Sequence, residues 1–248
     1  MCLILFAWRH HPDYPLIVAA NRDEFHDRPA SPAGFWPEHT SLLAGRDLRA
    51  GGTWLGVTRH GRFAALTNVR QRQREGAPSR GDMVKRFLLE AQSPEEYVDR
   101  IETAGIEYSG FNLLLGDGSD LLWYSNVGQQ RYILEPGIYG LSNDQLDTPW
   151  PKVEYSKSAI RRALDRLPDE SPLFHLLRDA TPYPEGMDAD ASIDIGFRNL
   201  LSAAFVLDPR YGTRNSTVFL HHRDGTRVLD EQLWQPDGTA GQRSRYRF

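Results

Sequence analysis

Short apolar runs joined by hairpin turns constrain this chain's fold more than any other feature. Runs at 53–58 and 63–67 flank Arg59-His60-Gly61-Arg62, those at 111–115 and 121–124 flank Asp117-Gly118, and those at 217–222 and 227–229 flank Asp224-Gly225. Asp-Gly suits the tight turn that joins antiparallel strands. Runs at 2–8 and 16–21 are separated by Arg9-His10-His11-Pro12-Asp13-Tyr14-Pro15, whose prolines suit a similar connection. Further strands are expected at 132–134, 138–141 and 203–207. Hairpins dominate over crossovers, which favours antiparallel sheets.

Helices fall between the strand blocks. Met83, Val84, Phe87 and Leu88 carry helical spacing over 82–91. Ser93-Pro94-Glu95-Glu96 is a capping box that opens a helix running to about residue 103. Two more helices are expected at 153–167 and 171–179. Alternating blocks of strands and helices indicate an α+β layered fold. No repeat or linker divides the chain, so 1–234 reads as one domain followed by a polar, frayed tail at 235–248. The Pro/Gly-rich segment 28–52 is long for a structureless loop and reads as functional.

Composition narrows the function classes. A chain of 248 residues, 40% hydrophobic and 25% charged, is an ordinary globular sequence of single-domain size. Its net charge of −4, without a long like-charge run, gives no nucleic-acid footprint. Arg70, Arg72, Arg74 and Arg80 form a local basic cluster in an expected loop, either solvated or in contact with an anion at a site mouth. One cysteine allows no internal disulfide and suits a reducing compartment. No apolar stretch approaches about 18 residues, so no integral membrane segment is expected. The start lacks a basic region or cleavage site, which gives a cytoplasmic expectation. His10-His11 and His221-His222 have no zinc spacing, and neighbours on a strand face opposite ways, so no metal site is expected.

The chemistry centres on Cys2. With Met1 removed, its thiol is a nucleophile and its free α-amine, of pKa roughly 7.7–8.0, a base within the same residue. Equally, a lone cysteine in an apolar run can be a small core hydrophobe. Ala19-Ala20-Asn21-Arg22-Asp23-Glu24 ends the second strand in charge. A strand beside Cys2 would bring Asp23 to orient the amine and Arg22 to stabilise the thiolate and lower its pKa. Gly51-Gly52-Thr53-Trp54-Leu55-Gly56 implies close backbone approach, with Trp54 either a site wall or a core ring. Arg46-Asp47 stands nearby as a brace for that loop.

Cys2, Asn21-Arg22-Asp23-Glu24, the glycine-dense segment and Thr67-Asn68-Val69-Arg70, in this order, resemble the NRDE family, which includes the transport and Golgi organization protein 2 group. The resemblance runs from Met1 to about Leu233. More distantly, the arrangement is similar to the choloylglycine-hydrolase branch of the N-terminal-nucleophile hydrolases. That likeness implies a four-layer αββα sandwich with mainly antiparallel sheets. It also implies a site made of an N-terminal Cys, an Asp after the second strand, two Asn and a late Arg. Cys2, Asp23, Asn68, Asn143 and Arg214 fall in that order. The hydrolases have an Arg three residues before the Asp; that position is Ala20 here, and Arg22 stands beside Asp23 instead.

Asn68 and Asn143 are either turn formers or donors to an oxyanion. Arg214, in a Gly/Asn-marked turn before a strand, is either a surface residue or an anion anchor. Two functions follow. In the first, Cys2 attacks a small-molecule amide or thioester, with Asp23, Asn68 and Asn143 assisting and no cofactor required. In the second, the cleft carries a hydrophobic anionic ligand, haem or an acyl thioester, paired with Arg22, Arg70 or Arg214. Asn21 and Trp54 complete the expected ligand-facing set. Haem as a transported ligand rests on the family resemblance, with a His or the Cys2 thiolate as axial ligand.

Overall fold

A computed structural model describes residues 2–69, 74–183 and 195–248 and realises the hairpin grammar as two antiparallel sheets. The chain divides into two compact units. One comprises the residues up to Asp27 together with Pro136–Ser142 and Leu146–Phe248; the other comprises Arg28–Glu135 and Asn143–Gln145. Each is assembled from separate segments, so the sequence contains no linker between them.

The first unit contains strands β1 (Leu3–Trp8), β2 (Leu16–Phe25), β10 (Gly137–Leu141), β11 (Tyr211–His221), β12 (Arg227–Trp234) and β13 (Ala240–Arg247), in the sheet order β10-β1-β2-β11-β12-β13. Its helices are α3 (Pro151–Leu164), α4 (Ser171–Leu177) and α5 (Ile195–Leu201). Side chains alternate across a strand. Leu3, Leu5, Ala7, Ile17, Ala19, Val218 and Leu220 therefore pack on one face against Val153, Ile160 and Leu164 of α3 and Leu173 and Leu177 of α4. Their neighbours Ile4, Phe6, Val18 and Ala20 are equally buried, which is why β1 and β2 read as unbroken apolar runs.

The second unit is a seven-stranded meander of β3 (Ala30–Trp36), β4 (His39–Asp47), β5 (Leu55–Thr58), β6 (Phe63–Asn68), β7 (Phe111–Gly116), β8 (Leu121–Ser125) and β9 (Gln130–Ile133). Helices α1 (Gly81–Leu89) and α2 (Pro94–Thr103) cover one face. Met83, Val84, Phe87 and Leu88 of α1 and Tyr97 and Val98 of α2 pack on Leu42, Ala44, Ala64, Leu66, Leu113 and Leu115. The capping box forms as expected: Ser93 Oγ accepts from Glu96 N at 3.2 Å, and the Glu96 carboxylate accepts from Ser93 N at 2.8 Å. The fold class is α+β, with antiparallel sheets.

Three expectations are corrected. Segment 28–52 is mostly strand, because register shifts between Ser31 and Gly34 and between Phe35 and Trp36 let Pro32 and Gly34 sit within β3. Residues 203–207 are not a strand: Phe205 N donates to Asp179 O at 2.8 Å, and Val206 is held by Thr213 of β11, whose N donates to Val206 O at 2.9 Å and whose Oγ1 accepts from Val206 N at 2.9 Å, contacts that do not form a ladder. The tail is not frayed: β13 pairs with β12 along its length. Arg243 holds the buried Asp230 with two bonds of 2.9 Å, and Arg245 bridges Asp230 and Glu170. The polar composition of this segment is that of an edge strand.

Candidate functional site

β2 continues through the Asn-Arg-Asp-Glu tetrapeptide, which therefore lies within the strand and not beyond its end. Alternation places Asn21 and Asp23 on the helix-covered face and Arg22 and Glu24 on the other. Leu3 pairs with Asn21, and the same antiparallel register continued by one residue sets Cys2 opposite Arg22. Position 20, where the hydrolase likeness has an arginine, lies on the same face as Arg22, two residues along.

Cys2 is buried, and its carbonyl accepts from Ser142 Oγ at 2.8 Å. Burial pushes the thiol above its ordinary pKa, and the Asp23 charge adds to this; the Asp23 backbone N–H and the Arg22 guanidinium pull it down without prevailing. The expected depression of the thiol is thus reversed. Desolvation of a buried thiolate outweighs what the neighbouring positive charges return.

Asp23 is also buried. Its carboxylate accepts from Thr213 Oγ1 at 2.7 Å and its carbonyl from the Tyr211 hydroxyl at 3.2 Å. Burial raises its pKa, opposed by the Thr213 bond and by the charges of Lys152 and Arg22. Lys152, on the first turn of α3, is 1% exposed and donates to Leu201 O at 3.0 Å. Thr213, Lys152 and Ser142 were not anticipated. A lysine beside a helix-opening proline reads as surface, and nothing in the sequence indicates its burial. The pairing of Thr213 with Asp23 follows only from the β2–β11 register.

The Asn21 side chain, expected to face a ligand, is engaged within the protein. It is fully buried; its Nδ2 donates to Leu177 O at 2.7 Å and Ala204 O at 2.8 Å, while its Oδ1 accepts from Ser216 Oγ at 2.6 Å. Ser216 Oγ in turn accepts from Trp234 Nε1 at 2.9 Å. The first letter of the tetrapeptide is therefore a bracket joining β2, β11, β12, the end of α4 and the segment after α5.

Arg214 lies inside β11, not in a turn before it, at a register shift between Thr213 and Asn215. Its Nη1 donates to Phe25 O at 2.8 Å. Burial lowers its pKa, and the like charge of Arg22 adds to that. The first unit thus gathers Cys2, Arg22, Asp23 and Arg214 around the adjoining ends of β1, β2 and β11.

The second unit brings Asn68 and Asn143 together: Asn143 Nδ2 donates to Asn68 O at 2.6 Å. Asn112 joins them, donating to Thr67 Oγ1 at 3.0 Å and Asp144 O at 2.7 Å. Trp54 is partly buried against the core of this unit, the core-ring alternative. The close approach at Gly52 is to the start of α1, since a Cβ there would meet the Gly81 carbonyl carbon at 2.5 Å. Arg46 pairs with Glu38, and Asp47 with Arg28. In the basic cluster Arg74 pairs with Glu107 and Arg80 donates to Gly110 O, while Met1, Arg70 and Arg72 lie outside the described residues.

His11 and His222 both contact the Tyr14 ring, and burial lowers His221 to about 4. Among the described residues no three His, Cys, Asp or Glu side chains gather to hold a metal, and no helix is long and apolar enough to cross a membrane.

Residues 1–236 match the family model described as Transport and Golgi organisation 2. The bovine Transport and Golgi organization protein 2 homolog is 37% identical over 94% of this chain and 92% of its own length. The human homolog is 38% identical with the same coverage. A solved structure of a Caenorhabditis elegans N-acylethanolamine-hydrolyzing acid amidase ortholog matches with a TM-score of 0.49 and 11% identity, over 88% of this chain and 92% of that one. On the family match and the extent of these identities, the chain belongs to the Transport and Golgi organisation 2 family.

Proposed function

We propose that the protein hydrolyses a small-molecule amide or thioester through Cys2 in a reducing, cytoplasmic setting. One observation carries this reading: Cys2 lies opposite Arg22 and interacts with Asp23, whose carboxylate is held by Thr213. The raised thiol waits protonated, so attack needs a base. With Met1 removed, the Cys2 α-amine takes that proton as sulfur bonds to the substrate carbonyl. The resulting ammonium then protonates the leaving amine or thiolate as its bond to the carbonyl carbon breaks. Water, deprotonated by the same amine, attacks the acyl-Cys2 thioester; the acid departs and the thiol regains its proton. Asp23 orients the ammonium, Arg22 offsets developing negative charge, and no cofactor enters. The family resemblance gives Asn68 and Asn143 the role of oxyanion donors.

Replacement tests these roles. Cys2→Ala should abolish turnover with the fold intact by circular dichroism. Loss of an oxyanion donor in Asn68→Ala or Asn143→Ala should lower kcat about 10²–10³-fold. Turnover that survives Cys2→Ala overturns the reading.

Two observations favour a carrier instead: alanine at position 20, and a thiol raised by burial. In that reading the neighbouring Arg22 and Arg214 hold the carboxylate or phosphate of haem or an acyl thioester. Stoichiometric binding without turnover, weakened in Arg22→Met and Arg214→Met by about 1.5–3 kcal/mol each, would establish it. Undiminished binding in both variants would remove it.

A further inference from the structure

Lysine is almost never fully buried unless its charge is answered. Lys152 is 1% exposed on the first turn of α3, and no step at Cys2 uses it. The buried charged residues among those described are Arg22, Asp23, Lys152, Glu170, Asp230 and Glu231. Strand register sorts them by side, because directly opposed residues share a face and successive ones alternate. Arg22 and Glu231 belong to the face away from α3: Arg22 alternates with Asp23, and Glu231 is level with Thr217 and Ala20 and accepts from Asn215 Nδ2 at 2.6 Å. Asp230 is level with Val218, on the helix-covered face, and is held with Glu170 by Arg243 and Arg245. That leaves one buried charge of each sign on the helix side: Asp23 and Lys152.

The run after α5 connects the two. Lys152 Nζ donates to Leu201 O at 3.0 Å, and Ala204 O accepts from Asn21 Nδ2 at 2.8 Å. Val206 N donates to Thr213 Oγ1 at 2.9 Å, and the Thr213 hydroxyl donates to the Asp23 carboxylate at 2.7 Å. Residues 201–206 therefore pass along the helix side of β2 from Lys152 to Asp23, and the positive charge of Lys152 is felt at the Asp23 carboxylate. The other charged or titratable groups around Asp23 are the Cys2 thiol, Arg22 on the opposite face, the Tyr211 hydroxyl on its carbonyl and, with Met1 removed, the Cys2 α-amine.

We infer that Lys152 is a positioning residue of the Cys2 site: its buried ammonium, on the helix side of β2, keeps Asp23 an anion that can hold the Cys2 α-ammonium. Burial by itself drives a carboxylate towards its neutral form, and a neutral carboxyl loses its attraction for the ammonium. Lys152 meets neither substrate nor reacting atoms. Its purpose rests on the hydrolase reading, but its coupling to Asp23 can be read without turnover.

The test is ¹³C NMR of protein labelled at the Asp carboxyl and the Lys Cε carbons. Lys152→Gln keeps a donor for Leu201 O and removes the charge; Lys152→Arg keeps the charge. The Asp23 signal, assigned by its loss in Asp23→Asn, should titrate at higher pH in Lys152→Gln than in wild type, and close to wild type in Lys152→Arg. Coupling is reciprocal, so Asp23→Asn should lower the pH at which Lys152 titrates, a reading that stands even where Lys152→Gln does not fold. With an S-octanoyl thioester as probe, kcat should fall about 10²-fold in Lys152→Gln, with KM little changed and most of the rate restored in Lys152→Arg. An Asp23 titration or a kcat unchanged in folded Lys152→Gln, or a Lys152 titration unchanged in Asp23→Asn, overturns the inference. Coupled titrations in a wild type that hydrolyses nothing would count against the hydrolase alone, and hydrolysis with uncoupled titrations against Lys152 alone.

Discussion

Replacing Asn21 with leucine separates a structural bracket from a ligand contact. The asparagine makes three side-chain hydrogen bonds of 2.6–2.8 Å inside a fully buried site. Leucine has similar bulk and fills the space, but it strands the Leu177 and Ala204 carbonyls and leaves the Ser216 hydroxyl without its acceptor. Each buried group left unsatisfied costs about 1–3 kcal/mol, so three give about 3–6 kcal/mol once partial relaxation is allowed. That is a large share of the roughly 5–15 kcal/mol that holds a typical protein folded. At about 2–4 °C per kcal/mol for a chain of this size, Tm should fall by about 6–24 °C. Thermal and urea unfolding followed by circular dichroism measure this directly. A Tm within about 3 °C of wild type, with ligand binding lost, would refute the bracket and restore Asn21 to the site.

Further outcomes follow from the same geometry. Iodoacetamide labelling of Cys2 should have its pH midpoint above the free-thiol value of about 8.5, because burial outweighs Arg22; a midpoint below it would show that the cations prevail. Truncation after Trp234 removes Arg243 and Arg245 and leaves the buried Asp230 unpaired. That should destabilise by about 3–5 kcal/mol, and unchanged unfolding would contradict the pairing. His221, lowered to about 4 by burial, stays neutral in the fold while the unfolded chain takes up a proton near 6.5. Its contribution is therefore fully present above pH 6.5 and is lost as pH falls towards 4. His221→Gln should flatten that slope, and an unchanged slope would place the titration elsewhere.

Much of the fold was legible because hairpins are local. Asp117-Gly118 and Asp224-Gly225 turn where expected, and the capping box at Ser93 opens α2. Strands whose polar or proline residues mask the pattern were not legible. β3 contains Pro32 and Gly34, and β13, at a sheet edge, alternates Arg243, Arg245 and Arg247 with Ser244 and Tyr246. Cys2, Arg22 and Asp23 could be named from their order along the chain. Their surroundings could not, because Lys152, Thr213 and Ser142 reach them only through helix packing and strand register. The thiol's direction was missed for a related reason: charge is visible in a sequence, and desolvation is not.

Time-resolved intact mass of the native protein, during reaction with an acyl thioester, is the sharpest test of Cys2 as the nucleophile. The starting mass should lack one methionine, and a transient adduct of one acyl group on Cys2 should follow and decay as free acid appears. Turnover by a protein that keeps Met1, or with no adduct on Cys2 at any time under conditions that slow its hydrolysis, would contradict it.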